Sequence, residues 1–198
     1  MEVRSTQTTL LGRLRNLDDH VAWCEFEERY RELLLRFGRR QGLQHADADD
    51  VVQHVFTNLA RTLPSFTYSQ NRGRFRDYLL RCVRNAIVDW SRRPGVRVQS
   101  VDSNIEDPDA PAESAIAAAW EEEWVAHHYR LAMRTIRETH EPRSVELFDR
   151  SIAGASLADL AREFGMSEDA VRKVRARIRD RMEELIAAQV RDEDAVDG

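Results

Sequence analysis

The sequence has few of the residues that mark secreted, membrane-bound or loop-rich proteins. Its 198 residues include only two cysteines, five prolines and eight glycines. Cys24 and Cys82 lie singly within apolar patterns, so we expect buried free thiols rather than a disulfide or metal site. No apolar run approaches the roughly 20 residues that a membrane-spanning helix needs, and the N-terminus lacks the apolar core of a secretory signal. These absences predict a soluble, cytoplasmic protein.

Catalytic patterns are also missing. The sequence contains no phosphate-cradling glycine loop and no nucleophile with a base at a recognisable spacing. The six histidines show no metal-ligand spacing. We therefore predict a protein that is not an enzyme and that needs no cofactor or metal.

Charge is plentiful but unevenly distributed. The formal net charge is −5, yet residues 72–93 contain seven arginines against two acidic residues. Residues 101–123 carry eight acidic residues and no basic ones. Segregation of this kind predicts basic surfaces on a chain that is acidic on average, as in a nucleic-acid-binding protein.

Apolar residues recur at helical spacing along most of the chain, and no segment shows the alternation of a strand. We predict an all-α fold of two small helical domains joined by a flexible linker that is rich in proline and acidic residues. The helices are expected at about residues 10–17, 23–42, 47–63, 74–91, 113–139 and 143–152, followed by a pair between 156 and about 188.

Residues 156–181 have the pattern of a helix-turn-helix. The first helix opens with Ser156 as a good N-cap and carries an apolar stripe at i, i+3, i+4 and i+7 that ends at Phe164. Gly165 can adopt the positive φ of a sharp turn, and Ser167 is suited to cap the second helix. The motif is typical of proteins that insert the second helix into the major groove of DNA.

The second helix is strongly basic. Six of the sixteen residues from Ser167 to Met182 are Arg or Lys, against three acidic ones. With the apolar seam turned inward, the outward positions near its N-terminus, where a recognition helix reads base edges, are Asp169, Arg172, Lys173 and Ala176. The alternative interpretation is a surface helix with a solvated charged face.

Two blocks in the N-terminal half resemble region 2 of the extracytoplasmic-function (ECF) group of bacterial sigma-70 family sigma factors. They are DADDVVQHVF at residues 47–56 and FRDYLLRCVRNAIVDWSRR at residues 75–93. The helix-turn-helix domain resembles region 4 of the same factors. The resemblance covers about residues 20–188 and implies a sigma factor that binds core RNA polymerase and directs promoter-specific transcription initiation. The alternative is a free-standing helix-turn-helix DNA-binding transcriptional regulator.

The resemblance implies four segments. Residues 1–94 would form a region 2-like domain of three or four helices that binds core polymerase and the −10 element. Residues 95–112 would be an acidic flexible linker, and residues 113–188 a region 4-like domain that binds the −35 element. Residues 189–198 are expected to be a disordered tail.

The resemblance also implies roles for individual residues. Those expected to bind the β′ clamp helices of core polymerase are Asp50, Gln53 and His54. Those expected to open and read the −10 element are Phe66, Tyr68, Asn71, Arg74, Arg81, Arg84, Asn85, Arg92 and Arg93. Those expected at the −35 element are Ser167, Asp169, Arg172, Lys173, Arg175, Ala176, Arg177 and Arg179, some of them on phosphates or the polymerase β flap. An anti-sigma factor or another regulator is left open as a further partner.

Overall fold

The computed structural model describes residues 9–63, 75–92 and 111–194, and all regular secondary structure in these ranges is helical. This confirms the all-α prediction for those residues. None of the helices in these ranges is long and apolar enough to cross a membrane. The helices are α1 (Leu10–Arg13), α2 (His20–Arg40), α3 (His45–Thr62), α4 (Phe75–Ser91), α5 (Pro111–Thr139), α6 (Pro142–Ile152), α7 (Leu157–Phe164) and α8 (Glu168–Asp194).

The chain divides into two compact units, and the division differs from the predicted one. The first unit comprises Met1–His127 with Arg191–Gly198, and the second comprises His128–Val190. The sequence assigned the start of α5 to the C-terminal domain. Instead Trp120 and Trp124 are buried in the core of the first unit, because two large aromatic side chains gain more from that apolar core than from water. Of the predicted linker, residues 95–112, the part up to residue 110 lies outside the described residues.

The core of the first unit is formed where α2 packs against α3 and α4. Apolar residues on α2 recur every three or four positions, so Phe26, Leu33 and Phe37 lie on one buried face. Burying a side chain of this size contributes roughly 1.5–3 kcal/mol relative to leaving it exposed. The sharp connection from α2 to α3 uses Gly42, whose φ of 91° is one that other residues rarely adopt.

The entry to α2 is fixed by Asp19. Its side chain accepts a hydrogen bond of 2.9 Å from the backbone N–H of Ala22 and forms an ion pair of 3.0 Å with Arg13. The hydrogen bond from Arg13 lowers the pKa of the Asp19 carboxyl. An N-cap of this kind satisfies backbone donors that would otherwise lack partners at the helix start.

The C-terminal tail, predicted to be disordered from residue 189 onward, is helical as far as the structure describes it. The end of α8 belongs to the first unit and is held there by polar contacts. The Tyr30 hydroxyl donates a hydrogen bond of 2.6 Å to Glu193 Oε1, and Arg29 Nη1 lies 2.8 Å from Asp192 Oδ2. These contacts offset the conformational entropy that ordering the segment costs. For residues 189–194 the structure thus differs from the expectation, because the partners that hold them lie more than 160 residues away in sequence.

The second unit contains two adjoining apolar clusters. In one of them, α5, α6 and the middle of α8 contribute buried residues that include Ile136, Phe148 and Ile178. The other lies within the helix-turn-helix and joins α6, α7 and the start of α8. Together they support the second helix of the motif along its apolar seam.

The cysteines are free, but they are less buried than predicted. Cys24 is exposed and Cys82 is half-buried. Cys24 lies two positions from both Ala22 and Phe26, which are buried, so it falls on the opposite side of α2. Burial raises the pKa of the Cys82 thiol.

Candidate functional site

Helix α3 presents a polar face to solvent. Its valines Val51, Val52 and Val55 are buried in the first unit, so the intervening positions face outward. The three residues expected to bind polymerase lie there, and all are exposed: Asp50, Gln53 and His54. The structure therefore brings these three together on one surface, which we call the α3 face.

Two neighbouring aspartates on α3 differ in their surroundings. Asp49 forms an ion pair of 2.7 Å with Arg31. By contrast, the side chains of Asp50 and Gln53 make no hydrogen bond or ion pair with any residue in the described ranges. An exposed carboxylate beside an exposed amide can accept charge-assisted hydrogen bonds from arginines and also bind backbone groups of another protein. His54 is instead within 3.0 Å of Asn58 on the next turn.

Helix α4 carries a basic row on its solvent side. Phe75, Leu79 and Val83 are among its buried residues, whereas Arg81 and Arg92 are exposed. Steps of three, four and seven residues repeat the same helix face, so the arginines and one amide form a row, the α4 row. It consists of Arg81, Arg84, Asn85 and Arg92. These four span about 16 Å along the helix axis, which is close to five base steps of a duplex strand.

The remaining residues expected at the −10 element lie outside the described residues. They are Phe66, Tyr68, Asn71, Arg74 and Arg93. Helices α3 and α4, which flank residues 64–74, are linked by a hydrogen bond between the hydroxyls of Thr62 and Tyr78, whose oxygens lie 2.8 Å apart. Sequence reasoning missed this contact, since neither residue belongs to the apolar stripe of its helix. Partial burial raises the pKa of the Tyr78 hydroxyl.

The helix-turn-helix has the local geometry that the sequence indicates. The Ser156 hydroxyl accepts a hydrogen bond of 3.1 Å from the backbone N–H of Asp159 and so caps α7. Gly165 ends α7 in the left-handed conformation, with φ 60° and ψ 37°. The Ser167 hydroxyl accepts a hydrogen bond of 3.2 Å from the backbone N–H of Ala170 and caps α8. The turn between the helices is thus only three residues long.

The outward face of α8 carries the residues expected to read DNA. Val171 and Ile178 are fully buried, which turns the intervening positions to solvent. The side chains of Arg172 and Lys173 are 56% and 77% exposed. Ser167, Asp169, Arg177 and Arg179 are also exposed, and Arg175 and Ala176 are partly exposed. All eight expected −35 residues therefore lie on α8 or at its N-cap and are at least partly accessible.

Two of the cations on this face form ion pairs within the helix. Arg172 lies 3.1 Å from Glu168, and Lys173 lies 3.0 Å from Asp169, each pair at i, i+4 spacing. Exposed pairs of this kind stabilise a helix by less than about 1 kcal/mol. Both cations can therefore leave their carboxylates for a phosphate or a base edge at little cost.

Comparison with known proteins gives a family match and similar solved structures. Residues 27–95 match the family model of sigma-70 region 2. No curated protein sequence matches the chain. One of the solved structures is that of CnrH in complex with the cytosolic domain of CnrY, whose matching chain is 22% identical. The match covers 90% of this chain and 96% of that chain, with a TM-score of 0.35. That similarity is too low to transfer residue roles.

Proposed function

We propose that the chain, whose residues 27–95 match the family model of sigma-70 region 2, acts as an ECF-group sigma factor. In this role it binds core RNA polymerase and supplies promoter recognition without catalysing a reaction itself. The observation that carries the proposal is the presence, on one chain, of the exposed α3 face within region 2 and a helix-turn-helix beyond it.

The α3 face is the proposed contact with the β′ clamp helices of core polymerase. It offers Asp50 and Gln53 without a side-chain partner among the described residues, while Asp49 beside them is engaged by Arg31. A carboxylate that forms no ion pair within its own protein is suited to a cation on another one. We assign Asp50 the main electrostatic role, with Gln53 and His54 contributing hydrogen bonds.

The α4 row and the segment before it are the proposed reader of the −10 element. Arginines along a helix can hold the phosphates of a DNA strand, and aromatic side chains can stack on bases that have left the duplex. The α4 row supplies the first of these functions. The second falls to Phe66 and Tyr68, with Asn71 and Arg74 next to them.

The second unit is the proposed reader of the −35 element in duplex form. Its helix α8 has the exposed basic residues, the capped N-terminus and the supporting seam that insertion into a major groove requires. Arg172 and Lys173 would contact base edges, and Arg175, Arg177 and Arg179 would contact phosphates or the polymerase β flap. Ala176 leaves room for close approach to the groove.

A free-standing DNA-binding regulator would use the same helix-turn-helix but would leave the α3 face without a partner. The two functions therefore differ in one measurable property, which is binding to core RNA polymerase in the absence of DNA. The region 2 match favours the sigma factor.

The deciding experiment is a pull-down of bacterial core RNA polymerase by the full-length chain, followed by run-off transcription with the reconstituted holoenzyme. We expect binding and new promoter-dependent transcripts. Asp50→Ala is expected to weaken polymerase binding by about tenfold, as for a lost charge-assisted contact, with DNA affinity unchanged. Glu28→Ala is the matched control, because Glu28 is an exposed carboxylate on the neighbouring helix α2.

Equal polymerase binding by Asp50→Ala, Glu28→Ala and the unsubstituted chain would refute the assignment of the α3 face. No polymerase binding at all, together with tight binding of duplex DNA, would refute the sigma factor and leave the regulator.

A further inference from the structure

The end of α7, directly before the turn of the helix-turn-helix, is contacted by Arg143, which lies near the start of the neighbouring helix α6. Its guanidinium donates a hydrogen bond to the backbone carbonyl of Phe164. Its Cζ atom also lies 5.9 Å from the centroid of the Phe164 ring. Since Phe164 is the last residue of α7, one side chain contacts both the backbone and the ring at the point where the first helix of the motif ends.

This contact satisfies a group that the helix itself leaves without a donor. The last four carbonyls of a helix have no partner within it. At the end of α7, the Ala161 carbonyl accepts from the N–H of Met166 at 2.9 Å, and the Arg162 carbonyl accepts from the N–H of Gly165 at 3.4 Å. The Phe164 carbonyl accepts from Arg143 instead, and a cation at this end also interacts favourably with the helix dipole.

The contact is also connected to the surface of α8. The Phe164 ring lies in the same buried cluster as Leu147 of α6 and Val171 of α8. Val171 belongs to the first turn of α8, and the next residue, Arg172, faces solvent. A shift of Phe164 would therefore move the start of α8, because close-packed interiors transmit displacement rather than absorb it.

We propose that Arg143 is a positioning residue for DNA recognition. It fixes the angle between α7 and α8, and so aligns Arg172 and Lys173 with base edges, without contacting DNA itself. This inference rests on the proposed reading of duplex promoter DNA by the second unit. It adds a residue that lies outside the recognition helix and that the sequence pattern did not single out.

A second arginine on α6 provides a matched control. Arg150 also links α6 to α7, through an ion pair of 3.1 Å with Glu163, and it is similarly exposed. Its contact is with the Glu163 side chain, whereas Arg143 contacts the carbonyl and the ring of Phe164. Removing it tests whether loss of any charged link between these two helices is enough to disturb DNA reading.

The experiment uses the full-length chain and a randomised pool of DNA duplexes. The duplex most enriched by the unsubstituted chain and a scrambled duplex of the same composition are then bound by Arg143→Ala, Arg143→Lys and Arg150→Ala over a range of salt concentrations. We expect Arg143→Ala to bind the enriched duplex about tenfold more weakly, the loss typical of a misaligned base contact. Its affinity for the scrambled duplex should stay within about twofold, as for a surface substitution.

The two other variants sharpen the result. Arg143→Lys keeps a cationic donor and is expected to lie between Arg143→Ala and the unsubstituted chain. Arg150→Ala is expected to bind both duplexes within about twofold of the unsubstituted chain. Circular dichroism establishes that each variant is folded. If Arg143→Ala does not fold, Arg143→Lys decides the question by the same comparison of the two duplexes.

Two results would overturn the positioning role alone. One is unchanged binding of the enriched duplex by Arg143→Ala. The other is an equal loss on both duplexes with a salt slope lower by about one, which marks a direct phosphate contact. A pool from which the unsubstituted chain enriches no duplex would overturn the region 4 assignment, and this proposal with it.

Discussion

The hydrogen bond between Tyr30 and Glu193 gives a quantitative test of how the end of α8 is held. The Tyr30 side chain is fully buried and Glu193 is 5% exposed, so the bond of 2.6 Å is shielded from water. A hydrogen bond to a charged group contributes about 1.5–3 kcal/mol to stability. Tyr30→Phe removes the hydroxyl and keeps the ring, so we expect the first unit to lose about that much stability.

The assay follows from the position of the tryptophans. All four, Trp23, Trp90, Trp120 and Trp124, belong to the first unit, so tryptophan fluorescence in a urea titration reports that unit. With a urea m-value of about 2 kcal/mol per molar, the expected loss lowers the midpoint by about 1 M.

Two further variants isolate the contribution of the hydrogen bond. Tyr78→Phe removes an exposed hydrogen bond between two hydroxyls in the same unit and is expected to lower the free energy of unfolding by less than about 1 kcal/mol. In a Glu193→Ala background, Tyr30→Phe should have little further effect. An unchanged urea midpoint for Tyr30→Phe would refute the reasoning, as would the same loss in the Glu193→Ala background.

Three further outcomes are expected. Burial, followed by the charge of Glu193, raises the pKa of Tyr30, so the stabilising contribution of the Tyr30 hydroxyl is intact below pH 10. Above pH 10 the free energy of unfolding should fall by up to about 1.4 kcal/mol per pH unit. The fall should be less steep in Tyr30→Phe. In Gly165→Ala the new Cβ atom meets no neighbouring atom, but the φ of 60° is unfavourable for alanine and costs about 1–2 kcal/mol. The substitution should therefore lower the melting temperature of the helical signal and leave tryptophan fluorescence unchanged. Arg172→Ala should weaken binding of the enriched duplex by about 1–3 kcal/mol, measured by fluorescence anisotropy, and equal binding would remove Arg172 from the base-reading set.

The local elements of the fold could be predicted from the sequence because their causes are local. Ser156, Gly165 and Ser167 act through backbone groups within a few residues, so the caps and the turn were predicted as they occur. The helices follow from apolar spacing, which depends on geometry that every helix shares.

What could not be predicted depends on contacts between distant residues. Nothing in the residues around Trp120 indicates that it packs in the first unit, and nothing around Glu193 indicates Tyr30 as its partner. The exposed position of Asp50 was predictable from helix phase. That Asp49 rather than Asp50 is held by Arg31 required the packing of α2 against α3.

The carboxylates of Glu168 and Asp169 have a consequence for how a protein of this kind searches a genome. Each forms an ion pair with one of the two cations nearest the helix tip. Under the proposed function, these carboxylates would compete with DNA phosphates for the cations equally at every DNA sequence. A bacterial chromosome offers millions of random sites, and binding to each of them would be weakened by the free energy of separating the two ion pairs. A site whose base edges match would offset this small cost, so under the proposed function the acidic residues of α8 would modestly shorten the time spent on the wrong DNA.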